Sequence, residues 1–207
     1  MLSAYRLQIP QVALKDLMAQ LCDVLVYLEG MLVVHRDVQP ETVLCERAED
    51  GAVRAVLADF GHAARIGDAA WPSFRAAGTP GFIAPEVFRD DFSAEQSDST
   101  AEGAANFSKI DVFSFGLLMA TVLTGRNPFQ GETAEETIKK NAELEYSPRV
   151  HFREVNIITE SLRVLLSAIC ARDPRQRPSA TEAAAHPWFS VGRTRTTPNI
   201  LHALCKG

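Results

Sequence analysis

Three short motifs hold the residue types that most often do chemistry, and they follow one another along the chain. The sequence reads HRD at residues 35–37, DFG at residues 59–61 and APE at residues 84–86. Aspartate and glutamate side chains can move protons, and their oxygens are the hard ligands that Mg²⁺ prefers. Each tripeptide alone is a weak signal, because matches to three residues often occur by chance. The alternative is that each aspartate only caps a turn.

The elements around these motifs are predicted from the spacing of apolar residues. Residues 11–30 carry apolar side chains at helical spacing, which predicts an amphipathic helix ahead of the first motif. Two β-rich runs, at residues 42–45 and 52–57, flank an Asp-Gly pair and predict a hairpin between the first two motifs. Residues 62–85 have no periodicity and contain several glycines and prolines, which predicts a loop.

The second half of the chain predicts further helices. Residues 110–123 are apolar on nearly every side, which is typical of a buried helix. Capping-box patterns that begin at Thr133 and Ser179, and an apolar stripe within residues 162–169, predict three more helices. Residues 89–109 are polar and acidic, and we expect a flexible insertion there. The predicted fold class is therefore mainly α with a small β-hairpin.

The ordered motifs, with a helix before them and a hairpin between the first two, resemble the C-terminal lobe of a eukaryotic serine/threonine protein kinase. Further matches stand at residues 78–83, 111–116, 172–178 and 186–189. Residues 127–141 are most similar to kinases of the calcium/calmodulin-dependent type. The resemblance covers about residues 11–189, as a partial kinase domain, and we expect residues 190–207 to form a flexible tail.

The resemblance implies Mg²⁺-dependent transfer of a phosphoryl group from ATP to a hydroxyl group of a protein. It assigns Asp37 to orienting the hydroxyl and accepting its proton, and Asp59 to holding the metal ion. It implies that Arg36 docks the activation loop, and that Thr79 contacts the catalytic aspartate and helps to form the substrate platform. Ser73 in the same loop is a candidate phosphorylation site, and the alternative is an exposed serine without a role.

Other positions are implied to support the lobe. Glu86 and Arg177 match the family's ion pair between the platform and the last helices, and Asp111 is implied to hold the backbone of the HRD motif. The remaining positions with an implied structural role are His35, Phe60 and Gly61.

The sequence departs from the family pattern at two positions of the loop that follows HRD. Gln39 stands where these kinases place a lysine, so a hydrogen-bond donor remains but its charge is lost. Thr42 stands where the second metal ligand, an asparagine, belongs, and its side chain is shorter. A threonine hydroxyl can bind Mg²⁺, so neither change proves inactivity.

The family's N-terminal lobe has no counterpart in this sequence. There is no GxGxxG motif, and few residues precede the first helix. We therefore expect that the N-terminal lobe is absent, that half of the ATP pocket is missing and that the chain alone is inactive. Two functions stay open: part of a serine/threonine kinase, or a pseudokinase-type lobe that binds other proteins.

Composition excludes several other classes. The chain is 46% hydrophobic and 23% charged, as in ordinary globular proteins, and its formal net charge of −5 argues against nonspecific nucleic-acid binding. The cysteines, whose spacing predicts free thiols in a reducing compartment, are Cys22, Cys45, Cys170 and Cys205. The apolar run at residues 110–123 is too short to span a bilayer. We expect a cytoplasmic or nuclear protein that acts on a protein substrate or partner.

Overall fold

Helices make up most of the secondary structure in the computed structural model, and two short antiparallel sheets complete it. The structure describes residues 11–47, 53–67, 77–89, 101–143 and 159–190. The helices are α1 (Gln11–Gly30), α2 (Ala101–Thr124), α3 (Ala134–Glu143), α4 (Glu160–Ile169), α5 (Ala180–Ala184) and α6 (Pro187–Ser190). The strands are β1 (Val33–Val34), β2 (Val43–Arg47), β3 (Val53–Leu57) and β4 (Ala64–Arg65). The predicted class, mainly α with a small hairpin, is confirmed for these residues.

Helix α1 forms one wall of the core and holds the hairpin in place. With 3.6 residues per turn, side chains three and four positions apart share a face. The side chains buried on that face are Leu14, Leu17, Met18, Leu21, Leu25 and Leu28. Beside them, the Gln20 side chain accepts the N–H of Ala55 at 2.9 Å and donates to the carbonyl of Val53 at 3.1 Å. Helix α1 therefore fixes the position of β3.

Two strand pairs bracket the HRD and DFG motifs. Strands β2 and β3 form the predicted hairpin, and the N–H of Ala58 donates to the carbonyl of Thr42 at 2.8 Å just beyond it. Strand β1 pairs with β4, with Val34 opposite Ala64. The sequence did not predict this second pair, because two residues are too few to show a period. The segments that carry the two motifs consequently run side by side.

Helix α2 passes through the core, and residues 110–120 of it are all buried, as predicted. The helix begins at Ala101, however, so the predicted flexible insertion over residues 89–109 is wrong for residues 101–109. Phe107 in that stretch is 5% exposed and belongs to the hydrophobic core. The residues around Phe107 are mostly polar, so the sequence pattern did not predict the first turns of this helix.

One segment of α2 passes a simple test for a membrane span. Asn106–Thr124 is 19 residues long and apolar enough to cross a bilayer by length and composition. The prediction that the apolar run at residues 110–123 is too short to span a bilayer is therefore wrong for the longer segment that contains it. Most of the segment is buried inside the protein, which is the situation of a core helix in a globular domain.

The predicted caps begin two of the shorter helices. Thr133 Oγ1 accepts the N–H of Glu136 at 3.1 Å ahead of α3. Ser179 and Glu182 form a complete capping box at α5, with bonds of 3.1 and 2.8 Å. The predicted apolar stripe of α4 is buried and consists of Leu162, Leu165, Leu166 and Ile169.

The described parts of residues 62–85 are irregular as predicted, apart from the two residues of β4. Several predictions concern residues outside the described ranges. They are the hairpin turn at residues 50–51, Ser73, the insertion at residues 90–100 and the tail from residue 191 onward.

Candidate active site

Asp37 belongs to a closed ring of hydrogen bonds. Its Oδ1 accepts the hydroxyl proton of Thr79 at 2.7 Å, and its Oδ2 accepts the amide of Gln39 at 3.1 Å. The same Gln39 amide donates to Thr79 Oγ1 at 2.6 Å. Asp37 is buried, and a carboxylate offers about four lone-pair sites. The ring therefore orients the carboxylate and still leaves lone pairs for a further hydroxyl group.

The backbone at the HRD motif is held in an unusual conformation by Asp111 of α2. Arg36 has a φ of 67°, in the left-handed region that side chains rarely adopt. Asp111 Oδ2 accepts the N–H of His35 at 2.6 Å, and Oδ1 accepts the N–H of Arg36 at 2.8 Å. Burial raises the pKa of Asp111, while the N–H groups of these two residues and the charge of Arg36 act in the opposite direction. Asp111 thus holds the backbone so that Asp37, the residue after Arg36, faces the ring of hydrogen bonds.

His35 joins the HRD motif to the DFG motif. Its Nδ1 accepts the N–H of Asp37 at 3.3 Å, and its Nε2 lies 3.0 Å from the carbonyl of Ala58. Because Nδ1 acts as an acceptor, the neutral ring with its proton on Nε2 fits both bonds. The ring also meets Phe60 edge-on, with centroids 4.7 Å apart. The two motifs therefore share one rigid contact.

Asp59 has the geometry of a candidate metal ligand. Its φ is 63°, again in the left-handed region, and its Oδ1 accepts the N–H of Gly61 at 3.2 Å. A Cβ on Gly61 would lie 3.1 Å from that oxygen, so glycine keeps the turn open. The exposed carboxylate retains lone pairs for a hard cation. The residue at this position therefore fits a Mg²⁺ ion.

Thr42, the other predicted metal ligand, faces the loop instead. Its Oγ1 lies 2.9 Å from the carbonyl of Asp37 and 3.1 Å from the carbonyl of Gln39, and it accepts the N–H of Gln39 at 3.2 Å. The residue is 5% exposed and ends a short 3₁₀ turn, Pro40–Thr42. Its hydroxyl closes this turn, so the side chain does not fit a metal ion as it stands.

The segment that carries Thr79 is shaped by glycines and by buried polar side chains. Gly78 has a φ of 118°, and a Cβ there would lie 2.8 Å from the carbonyl oxygen of Arg36. Asn141 of α3 accepts the N–H of Gly81 at 3.0 Å and donates to the carbonyl of Ile83 at 2.6 Å. Asn141 was not among the site residues that the sequence predicted. The only signal was an amide among the residues that α3 turns toward the core.

Glu86 and Arg177 form a buried, bidentate ion pair. Both N···O distances are 2.6 Å. The guanidinium also donates to three carbonyl groups, and its centre lies 4.9 Å from the Phe113 ring centroid. Those carbonyl groups belong to Lys109, Ala171 and Arg172. All five N–H donors of the guanidinium are therefore used, as a buried charge requires.

The structure places Arg36 beside the residues that follow DFG. Its Nε donates to the carbonyl of His62 at 2.5 Å, and burial lowers the pKa of the guanidinium. Ser73, the candidate phosphorylation site in that loop, lies outside the described ranges. The implied docking role of Arg36 therefore stays a prediction.

An open groove of about 470 Å³ lies beside the 3₁₀ turn that follows Gln39. Pro40 and Glu41 line one side, directly after Gln39 in the chain, and Phe82 and Asn127 line another part. The groove offers apolar surface together with the carboxylate of Glu41, the guanidinium of Arg126 and two side-chain amides.

The described helices and short sheets hold a buried aspartate that faces a threonine, and a second aspartate that begins the DFG turn. The family described as "Protein kinase domain" matches residues 1–189. The chain therefore belongs to the protein kinase family, as its motifs predicted.

Similar proteins support the serine/threonine branch of this family. Serine/threonine-protein kinase RAD53 of Saccharomyces cerevisiae is 30% identical over 179 residues, which are 86% of this chain and 21% of the yeast protein. PEPKR2 of Arabidopsis thaliana is 33% identical over 184 residues, or 88% of this chain and 33% of the plant protein. Calcium-dependent protein kinase 6 of Plasmodium berghei is 31% identical over 176 residues, or 85% of this chain and 11% of that protein. The chain thus spans a third or less of these three relatives.

Proposed function

We propose that this chain contributes the catalytic loop of an active serine/threonine protein kinase that phosphorylates hydroxyl groups of proteins with ATP and Mg²⁺. One observation carries the proposal: the Asp37 carboxylate is oriented by Thr79 at 2.7 Å and by Gln39 at 3.1 Å. A carboxylate held in this way can position an attacking oxygen, and positioning supplies much of the rate in phosphoryl transfer.

Each step of the reaction that this chain performs concerns the hydroxyl group of the substrate. Asp37 accepts a hydrogen bond from that hydroxyl, turns its oxygen toward the γ-phosphorus atom of ATP and takes the proton as the new P–O bond forms. The bond from this phosphorus to the bridging oxygen breaks, and ADP leaves with that oxygen. Thr79 and Gln39 keep the carboxylate in place. Asp59 would hold Mg²⁺, which supplies charge neutralisation at the phosphates when it is bound with ATP.

The groove beside the 3₁₀ turn supports a protein or peptide as the substrate. It begins at Pro40 and Glu41, one residue beyond Gln39, and reaches Phe82 of the segment that carries Thr79. An extended peptide in the groove would pass within reach of Asp37. A small-molecule alcohol would leave most of this surface uncovered.

We also propose that the protein acts in the cytoplasm or the nucleus. Cys45 and Cys170 carry free thiols, which supports a reducing compartment. Microscopy of the fluorescently tagged natural protein tests this location, and a signal confined to the secretory pathway would contradict it.

The experiment that tests the kinase function uses the natural protein in its full length. We expect it to transfer radiolabelled phosphate from ATP to serine or threonine residues in a peptide library. Asp37→Asn should lower the rate at least about 100-fold, because the proton acceptor is lost. Glu135→Gln, at an exposed position of α3, is the matched control and should leave the rate unchanged.

Two results would overturn the proposal. One is the absence of transfer to every peptide by a protein that is folded and binds ATP, which would favour the pseudokinase-type interaction module. The other is an Asp37→Asn variant as active as the natural protein, which would place the chemistry elsewhere.

A further inference from the structure

The number of metal ions at the proposed site depends on Thr42. Protein kinases hold two Mg²⁺ ions, one on the DFG aspartate and one on an asparagine of the catalytic loop. Asp59 and Thr42 occupy these positions in the chain. The backbone of Thr42 is close to the DFG segment, because its carbonyl accepts the N–H of Ala58 at 2.8 Å. Whether Thr42 can act as a ligand therefore depends on the direction of its side chain, and not on the distance of its backbone from the DFG segment.

The hydroxyl of Thr42 is engaged within the loop. A hydroxyl has one proton and two lone pairs. The proton faces the carbonyls of Asp37 and Gln39, at 2.9 and 3.1 Å, and one lone pair accepts the N–H of Gln39 at 3.2 Å. A metal ion could reach only the remaining lone pair of this enclosed oxygen, unless the side chain rotated away from all three groups. The turn that presents Asp37 would then lose the bonds that close it.

Burial opposes such a rotation. Thr42 is 5% exposed, while Asp59 is exposed to solvent. Mg²⁺ gives up its water ligands reluctantly and prefers carboxylate oxygens over a neutral, enclosed hydroxyl. The two candidate ligands therefore differ in charge, in access and in the bonds that each would have to break.

Gln39, which stands at the position of the family's lysine, does not replace the charge of a second metal ion. Gln39 is neutral, and its amide nitrogen carries two protons. These are directed to Asp37 Oδ2 at 3.1 Å and to Thr79 Oγ1 at 2.6 Å. Among the described residues, no cluster of three or more histidine, cysteine or acidic side chains could hold an ion instead.

We infer that the nucleotide complex of this protein holds a single divalent metal ion, at Asp59, and that Thr42 fastens the catalytic loop instead of binding a second ion. This inference rests on the proposed function, since it concerns the complex with ATP. It distinguishes this chain from kinases in which an asparagine at the same position supplies the second site.

Equilibrium dialysis of the natural full-length protein against Mn²⁺ and a non-hydrolysable ATP analogue tests the inference. The readout is the number of Mn²⁺ ions retained for each nucleotide retained by the protein. We expect one ion per bound nucleotide at saturating Mn²⁺. Two ions would overturn the inference and leave the kinase proposal intact. No retained nucleotide would overturn both, so the two failures can be told apart.

Two variants at the same position sharpen the test. Thr42→Asn offers a longer side chain with a carbonyl oxygen, and we expect the count to rise from one ion to two. If the variant still retains one Mn²⁺ ion per nucleotide, the conclusion that the residue at this position sets the number of metal ions is overturned. Thr42→Val keeps the shape and removes the hydroxyl, so we expect one ion together with a lower melting temperature. Loss of the ion in Thr42→Val would show that the hydroxyl is a ligand and would overturn the inference.

Discussion

Asp37, Thr79 and Gln39 form a ring in which only the carboxylate carries a charge. Each member makes a bond to both others, at distances between 2.6 and 3.1 Å. Gln39 therefore supplies the positioning that a donor at this place can give, without the positive charge of a lysine. The consequence at the scale of single residues is a well-oriented aspartate beside a neutral neighbour.

Gly78 lets the ring form, and its replacement should disturb it. A Cβ at this φ of 118° is strained, and it would lie 2.8 Å from a backbone oxygen that cannot move aside easily. We expect Gly78→Ala to lower the free energy of unfolding by more than about 1 kcal/mol and to lower the rate of phosphoryl transfer. Urea denaturation and a peptide kinase assay measure the two effects.

Gly30 is the matched control for that substitution. It ends α1, and a Cβ there would meet nothing within 4 Å. We expect Gly30→Ala to be neutral or slightly stabilising, because alanine restricts the unfolded chain. Equal effects of the two substitutions would contradict the role given to the Gly78 backbone.

At the scale of elements, the first turns of α2 are part of the core. Phe107 is 5% exposed in a stretch whose composition suggested a flexible insertion. We expect Phe107→Ala to lower the free energy of unfolding by about 3–5 kcal/mol, since a large core side chain is removed. Chemical denaturation measures the change, and a loss below about 1 kcal/mol would favour the flexible insertion. Val164→Ala in α4 is the control, because Val164 is 51% exposed.

The start of α6 should respond to acid through His186. Its Nδ1 accepts the N–H of Trp188 at 3.2 Å, and burial lowers the pKa of the imidazole. A folded-state pKa below the unfolded value of about 6.5 means that stability is complete above that value and is lost as the pH falls. We therefore expect acidification from about pH 7.5 to about pH 5.5 to destabilise the protein.

The comparison with His186→Asn isolates this effect. Asparagine keeps an acceptor for the Trp188 N–H but does not titrate, so the variant should lose less stability over the same range. His62→Asn, at an exposed position, should behave like the natural protein. Thermal denaturation at several pH values gives the result, and identical curves for His186→Asn and the natural protein would contradict it.

At the scale of the whole molecule, Arg177 ties together segments that are far apart in the chain. It pairs with Glu86 at 2.6 Å and donates to carbonyls of Lys109 in α2 and of Ala171 beyond α4. We expect Glu86→Ala to lower the free energy of unfolding by about 3–5 kcal/mol, because it leaves a buried charge unpaired. Denaturation in guanidinium chloride measures the loss.

Two further variants test whether burial is the reason. Arg175→Ala removes the exposed pair with Asp173 and should cost less than about 1 kcal/mol. The double variant Glu86→Leu with Arg177→Met should cost less than the sum of its single changes, since no charge remains unpaired. Additive losses in the double variant would show that the two side chains act independently.

The class of the fold, the position of most helices, the hairpin and the three motifs could all be predicted from the order of the residues. These features depend on residues a few positions apart, such as the apolar stripe of α1 and the cap at Ser179, so they are visible in a linear pattern. The motif set was specific enough to indicate the protein kinase family, which the match over residues 1–189 confirmed.

The use of the side chains at the site became visible in the folded chain alone. The structure showed that Thr42 turns its hydroxyl into the loop, that Gln39 donates to both other members of the ring and that Asn141 holds the backbone of Gly81. It also showed that Phe107 anchors the first turns of α2. Each of these facts depends on a contact whose direction or partner is set by packing, and no local spacing of residue types encodes that information.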